Sequence, residues 1–368
     1  MIYFDHGATS FPKPRAVSDA MAQALKTCAN PGRGGHKPAM EGAKRVLSCR
    51  NTASSFFGCQ PEQVLFTGNC TQGLNTAIFS LLKPGGRAVI SGFEHNAVTR
   101  PLHALGAKIT VAGRTLFDWQ NTLEEFESAL RHGQDLAVFT MASNVFGYIL
   151  PVEELSALCR TYGVPFVVDA AQGAGILPLD MGKLQADFIA MPGHKGLLGP
   201  QGTGILLCQN PPKPLIYGGT GSMSREQSMP DFLPDVGEAG TVNVPGIAGL
   251  EAGIRVVKAR GLENILAKEQ RQAKYCARGL ETLGYRVFTG EHQLGTVSFV
   301  PNGDCEELAE YLACNGICVR AGLHCAPFAH ESAGTLDTGT VRISFGWDNT
   351  AWQREKLLEI LEKSPIQI

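Results

Sequence analysis

The chain has 368 residues, 44% hydrophobic and 18% charged, with 43 Gly and 21 Pro. That length buries a sizeable core and predicts one large domain with a smaller companion. Thirty-two basic residues against 34 acidic ones leave a formal charge of −2 without a basic stripe, which argues against nucleic acid as a partner.

Met1-Ile2-Tyr3-Phe4-Asp5 enters strand-like sequence without a basic leader, and no apolar run approaches the roughly 18 residues of a membrane span, so neither export nor a membrane is expected. From about residue 16 to 245, strand-like and helix-like segments alternate. Val64-Leu65-Phe66 reads as a strand feeding a helix over 71–82, in which Leu74, Ala77, Ile78, Leu81 and Leu82 recur at helical spacing. Strands are predicted at 87–90, 107–111 and 136–141, then a helix at 152–162 and two buried runs at 164–168 and 188–191. This alternation implies a mostly parallel, doubly wound α/β sheet in a large domain spanning 16–245. Helices at 249–259 and 263–283, strands at 294–300, near 317–320 and at 340–344, and a helix at 351–362 form a different pattern. They predict a smaller α+β domain built from 1–15 and 246–368.

The most informative pair is Asp169 and Lys195, 26 residues apart, each following a buried strand. Ligands of open α/β sheets bind at such strand ends. A Lys there can form a Schiff base with an aldehyde cofactor, and an Asp can partner a pyridinium nitrogen, the two groups a pyridoxal phosphate enzyme needs. Thr67-Gly68-Asn69-Cys70-Thr71 joins a strand to a helix N-terminus and suits a phosphate, though an ordinary helix cap reads the same way. His95 follows the strand ending at Ile90 and can stack on a flat ring or move a proton. Asn144 follows the strand 136–141.

Eleven Cys, an odd number, point to reduced thiols in a cytoplasmic protein rather than a disulfide framework. Cys314 and Cys318 have zinc-like spacing but no second matching pair follows, and no G-x-G-x-x-G opens a helix at Gly202-Thr203-Gly204, so metal and dinucleotide readings both fail.

The order of these motifs resembles the class V aminotransferase branch of fold-type I pyridoxal-phosphate enzymes, within it the cysteine desulfurase and selenocysteine lyase group. Asp169-Ala170-Ala171-Gln172, Gly193-His194-Lys195 and Arg320-Ala321-Gly322-Leu323-His324-Cys325-Ala326 carry the resemblance most specifically. It implies Lys195 as the Schiff-base lysine, Asp169 at the pyridine nitrogen, Gln172 by the ring hydroxyl and His95 over the ring. It implies Thr71, beside Cys70 in the same loop, and His194 at the phosphate, with Thr241 reaching the phosphate of a neighbouring subunit in a homodimer. Asn144 and Arg342 match positions that hold the substrate. Cys325 would take sulfur from L-cysteine as a persulfide, leaving L-alanine, before passing it to an acceptor protein. Arg320 and His324 lie near enough in sequence to favour its thiolate. Selenocysteine lyase, cysteine sulfinate desulfinase and class V transaminase are the alternatives on the same scaffold. A non-enzymatic binding protein fits less well, because Lys195, Asp169 and Arg342 are all retained. Three positions depart from the family pattern: Pro192 stands for a phosphate-binding Ser, Cys70 for a Thr, and Leu323 for the first His of a His-His-Cys sequence.

Overall fold

The computed structural model describes residues 1–32 and 34–367. Its centre is a seven-stranded sheet. Strands Phe188–Pro192, Phe166–Asp169, Leu136–Thr140, Arg87–Ser91 and Lys108–Ala112 lie side by side in that order, all parallel. Every residue of the three strands nearest the middle of the sheet, Leu136–Thr140, Phe166–Asp169 and Phe188–Pro192, is buried, as a sheet covered by helices on both faces requires.

The seventh strand, Gly204–Cys208, is not expected from the sequence. It runs antiparallel between Phe188–Pro192 and Val64–Thr67. Its five residues are too few to show a period, and the Gly-Thr-Gly before it reads as a loop. Gly204 itself is required: a Cβ there would lie 2.6 Å from Thr67 Oγ1 and 2.8 Å from the backbone of Asn69. Gly204→Ala should therefore cost about 1–3 kcal/mol, read as a lowered urea midpoint at constant slope.

The helix Cys70–Leu81 starts one residue before the predicted segment, and Asn69 caps it by accepting the Gln72 N–H at 2.8 Å. Helices Arg15–Thr27 and Lys37–Phe57 pack on Val244–Arg260, whose Ile247, Leu250 and Ile254 join the core of the large sheet. By packing, that last helix sides with the large unit, so we propose Gly261, rather than 245, as the division between the two.

The second unit has its own core, in which Phe4, Phe299, Leu308, Ile343 and Leu357 are fully buried. Its antiparallel sheet runs Arg320–Gly322, Thr340–Ser344, Thr296–Val300, Arg286–Phe288. The single strand expected near 317–320 is two. Ile317–Cys318 pairs in parallel with Ile2–Tyr3, whereas Arg320–Gly322 pairs with Thr340–Ser344. The first of these pairings stitches the N-terminal segment to the smaller unit.

Candidate active site

The parallel strands end at a cavity of about 240 Å³. Asp169 is the last residue of its strand, 2% exposed, and Oδ1 accepts the Ala171 N–H at 2.9 Å. The Cys70 thiol also points at Oδ1, at 3.6 Å. Burial raises the Asp169 pKa, while the Ala171 N–H, Lys195 and Cys70 oppose the rise. Lys195 shares the cavity wall, and its pKa is lowered by burial first and by Arg342 second. A buried amine held below its usual pKa is a nucleophile and a base. It follows the strand Phe188–Pro192 on a loop braced by the His194 carbonyl, which accepts from Ser10 N at 3.0 Å and Lys13 Nζ at 2.7 Å.

Both cavity histidines are neutral at pH 7. His95 accepts the Ala97 N–H on Nδ1 at 3.0 Å, and burial lowers its pKa to about 4. His194 is lowered to about 4 by the same cause, and its buried Nδ1 has no partner. Thr71 lines the cavity at the helix N-terminus, where the dipole favours an anion. Gln172 completes the wall and donates to the Gly7 carbonyl at 3.0 Å. Pro192 also lines this cavity and brings no hydroxyl. Thr241 does not join these residues: it lines a separate cavity of about 220 Å³ beside Gly68 and Gln72.

Asn144 links the cavity to the smaller unit. Its carbonyl accepts from Arg342 Nη1 at 2.8 Å, and its Nδ2 donates to the His324 carbonyl at 2.8 Å. Arg342 is 2% exposed and donates from Nη2 to Asp5 Oδ1 at 2.7 Å, while its Nε is buried without a partner. Cys325 is exposed and lies outside the cavity wall, but its carbonyl accepts the Asn96 N–H at 2.7 Å beside His95. His324 and Cys325 both adopt positive φ, 51° and 57°, a strained pair for residues with side chains. Arg320 lies within electrostatic reach of Cys325. His324 does not act as the expected cation. Its Nε2 faces Thr340 at 3.2 Å, and burial with Arg342 pushes its pKa down to about 2.

Two residues near the site escape sequence reasoning, Asp5 and Glu94. Each stands as one carboxylate in a largely apolar stretch, with no spacing to mark it. Glu94 is fully buried, accepts the Thr140 N–H at 2.9 Å and pairs with the Ser91 hydroxyl through the same oxygen, Oε1. Burial pushes its pKa to about 8, and that of Glu269 likewise to about 8. Both folded-state values lie above the unfolded one, so the folded chain retains protons that the unfolded chain releases. The stabilisation is complete in acid and is lost as pH rises towards about 8. Below about pH 6.5 the lowered histidines act in the opposite sense. Stability should therefore fall between about pH 6.5 and 8, by at most about 2 kcal/mol per group. Glu269→Gln should remove about half of that slope in urea titrations, and an unchanged slope would refute it.

A family model for class V aminotransferases matches residues 2–357. The chain belongs to the class V aminotransferase family. Among its class V relatives, a probable cysteine desulfurase from Pyrococcus abyssi is 32% identical over 382 aligned residues, covering 99% of this chain and 94% of the relative. A cysteine desulfurase from Synechococcus elongatus is 30% identical over 99% of this chain and 60% of its own length. The apo structure of a cysteine desulfurase from Thermococcus onnurineus NA1 superposes with a TM-score of 0.90 at 32% identity, covering 98% of this chain and 94% of the other. The class V chain thus has the expected fold-type I architecture, a mostly parallel sheet with a smaller antiparallel unit. Among its described residues no helix is long and apolar enough to cross a membrane.

Proposed function

We propose that this class V protein is a pyridoxal-phosphate-dependent cysteine desulfurase that converts L-cysteine to L-alanine and takes the sulfur on Cys325. The observation that carries the reading is exposed Cys325, on a loop bonded to Asn96 and to Asn144, the latter lining the cavity that holds Lys195 and Asp169. The relatives named above support it.

The residues fit the cofactor. The unpartnered His194 Nδ1, Thr71 and the helix N-terminus suit a phosphate, and the buried Asp169 carboxylate suits a protonated ring nitrogen. Bound pyridoxal phosphate supplies an electron sink for a carbanion at the substrate Cα. Lys195, lowered in pKa, takes the Cα proton. Arg342 offers its unpartnered Nε–H to the substrate carboxylate, with Asn144 alongside. The Cys325 thiolate attacks the substrate sulfur: an S–S bond forms and the C–S bond breaks, a proton is delivered to Cβ, and the proton held by Lys195 returns to Cα to complete alanine.

We infer a homodimer in which Thr241 serves the partner's phosphate. Support comes from the resemblance and from the exposed Ile216, Tyr217, Met223 and Phe232, in the same segment between Cys208 and Val244. A cytoplasmic setting and a protein sulfur acceptor fit the free thiols and the exposed Cys325. Product analysis with L-cysteine, selenocysteine and cysteine sulfinate side by side tests the reading. Alanine from cysteine supports it, whereas transfer of an amino group to a keto acid without sulfur release overturns it.

A further inference from the structure

Arg320 and Arg342 stand directly opposite one another across two antiparallel strands. Two like charges at such a pair repel. One carboxylate lies between them. Asp5 Oδ1 accepts from Arg342 Nη2 at 2.7 Å and from Arg320 Nε at 3.3 Å, while Oδ2 accepts from Arg320 Nε at 3.1 Å and Nη2 at 2.9 Å. Asp5 comes from the N-terminal segment, bridged to the sheet at Ser344. Its side chain is 12% exposed and that of Arg342 3%, so this pair is shielded from water, whereas Arg320 is half exposed.

The contacts close a ring. Arg342 also donates to the Asn144 carbonyl, Asn144 donates to the His324 carbonyl, and the next residue is Cys325. Arg320 lies two residues before the glycine that opens the Cys325 loop, Gly322, at φ 97°. The ring holds two guanidiniums against one carboxylate, and one buried guanidinium N–H is unpartnered. Both facts leave room for one more anion.

We propose that Asp5 is the positioning residue that couples the carboxylate clamp to the nucleophile. It keeps Arg342 aimed through Oδ1 and holds Arg320 beside the Cys325 loop through both oxygens, Oδ2 the nearer. The proposal rests on Arg342 as the carboxylate-binding residue. A carboxylate arriving at the Arg342 Nε–H shares that guanidinium's charge with Asp5, Asp5 leans further on Arg320, and Arg320 is drawn away from the thiol. Occupancy of the clamp is thereby reported to Cys325 without any contact between ligand and thiol.

The test uses holoprotein and two readouts. Asp5→Asn should raise the KM for L-cysteine about tenfold, the loss of one charged hydrogen-bond partner, with a smaller change in kcat; Asp5→Glu should recover part of it. Independently, alkylation of Cys325 by iodoacetamide is followed by peptide mass, which separates it from the exposed Cys314, with and without saturating L-alanine. In the wild type alanine should slow alkylation about threefold or more, and in Asp5→Asn the ratio should fall to about one. A wild-type alanine ratio in Asp5→Asn, or an unchanged KM, overturns the coupling. If Asp5→Asn melts early, Arg320→Gln carries the alkylation comparison from the half-exposed end of the link, and a wild-type alanine ratio there overturns the coupling. The alkylation readout needs no turnover, so a protein that makes no alanine from cysteine would sink the proposed function while leaving this inference to stand or fall by itself.

Discussion

Cys325→Ala should lower the conversion of L-cysteine to L-alanine by about 10³-fold while leaving cofactor binding unchanged. The split follows from where the residue sits. Its side chain is absent from the wall of the cavity proposed for the cofactor, and its hydrogen bond to the large unit is made by its carbonyl, which alanine keeps. Both residues bear a Cβ in the left-handed region, so the local strain is common to both and the loop should hold its shape. Visible absorption of the bound cofactor and a coupled alanine assay measure the two halves separately. Full cysteine turnover in the variant would sink the thiolate role. Activity that survives only with selenocysteine or cysteine sulfinate would instead move the protein to those substrates, whose leaving groups need less nucleophilic help.

For Lys195→Ala the expectation is a loss of roughly 10⁴-fold in turnover together with loss of the borohydride-sensitive absorption. Lys195 is the amine on the wall of the cavity that also holds Asp169, and burial beside Arg342 lowers its pKa towards the reactive free amine. On the proposed reading, removing it deletes the covalent anchor and the Cα base together. Asp169 would lose one of the partners that oppose its raised pKa, so the variant should also bind the cofactor more weakly at low pH than at high. Retained borohydride-sensitive absorption in Lys195→Ala would reassign the anchoring lysine.

Much of this was legible beforehand. Asp169 and Lys195 are read from buried runs that end abruptly, and burial leaves an unmistakable apolar signature in a parallel strand. The strand Gly204–Cys208 leaves no such mark, because five residues after a Gly-Thr-Gly turn look like the tail of a loop. The helix Val244–Arg260 was found in part, but its allegiance to the large sheet depends on contacts with Arg15–Thr27 and Lys37–Phe57, which no local pattern encodes. The same limit applies to His324. Beside Cys325 in sequence it suggests a cation, whereas in space it turns inward to Thr340 and stays neutral. Asp5 becomes visible only when two strands bring Arg320 and Arg342 face to face.

The loop that carries Cys325 is tied on both sides, through the His324 and Cys325 carbonyls to Asn144 and Asn96. A thiol tethered in this way is a fixed post, with no arm to extend. On the proposed reading, carrying sulfur over any distance is then the work of whatever receives it. A small thiol, or a protein with its own thiol on a slender flexible segment, can reach the post and leave with the sulfur. A globular acceptor whose thiol lies recessed in a groove would be excluded by shape alone.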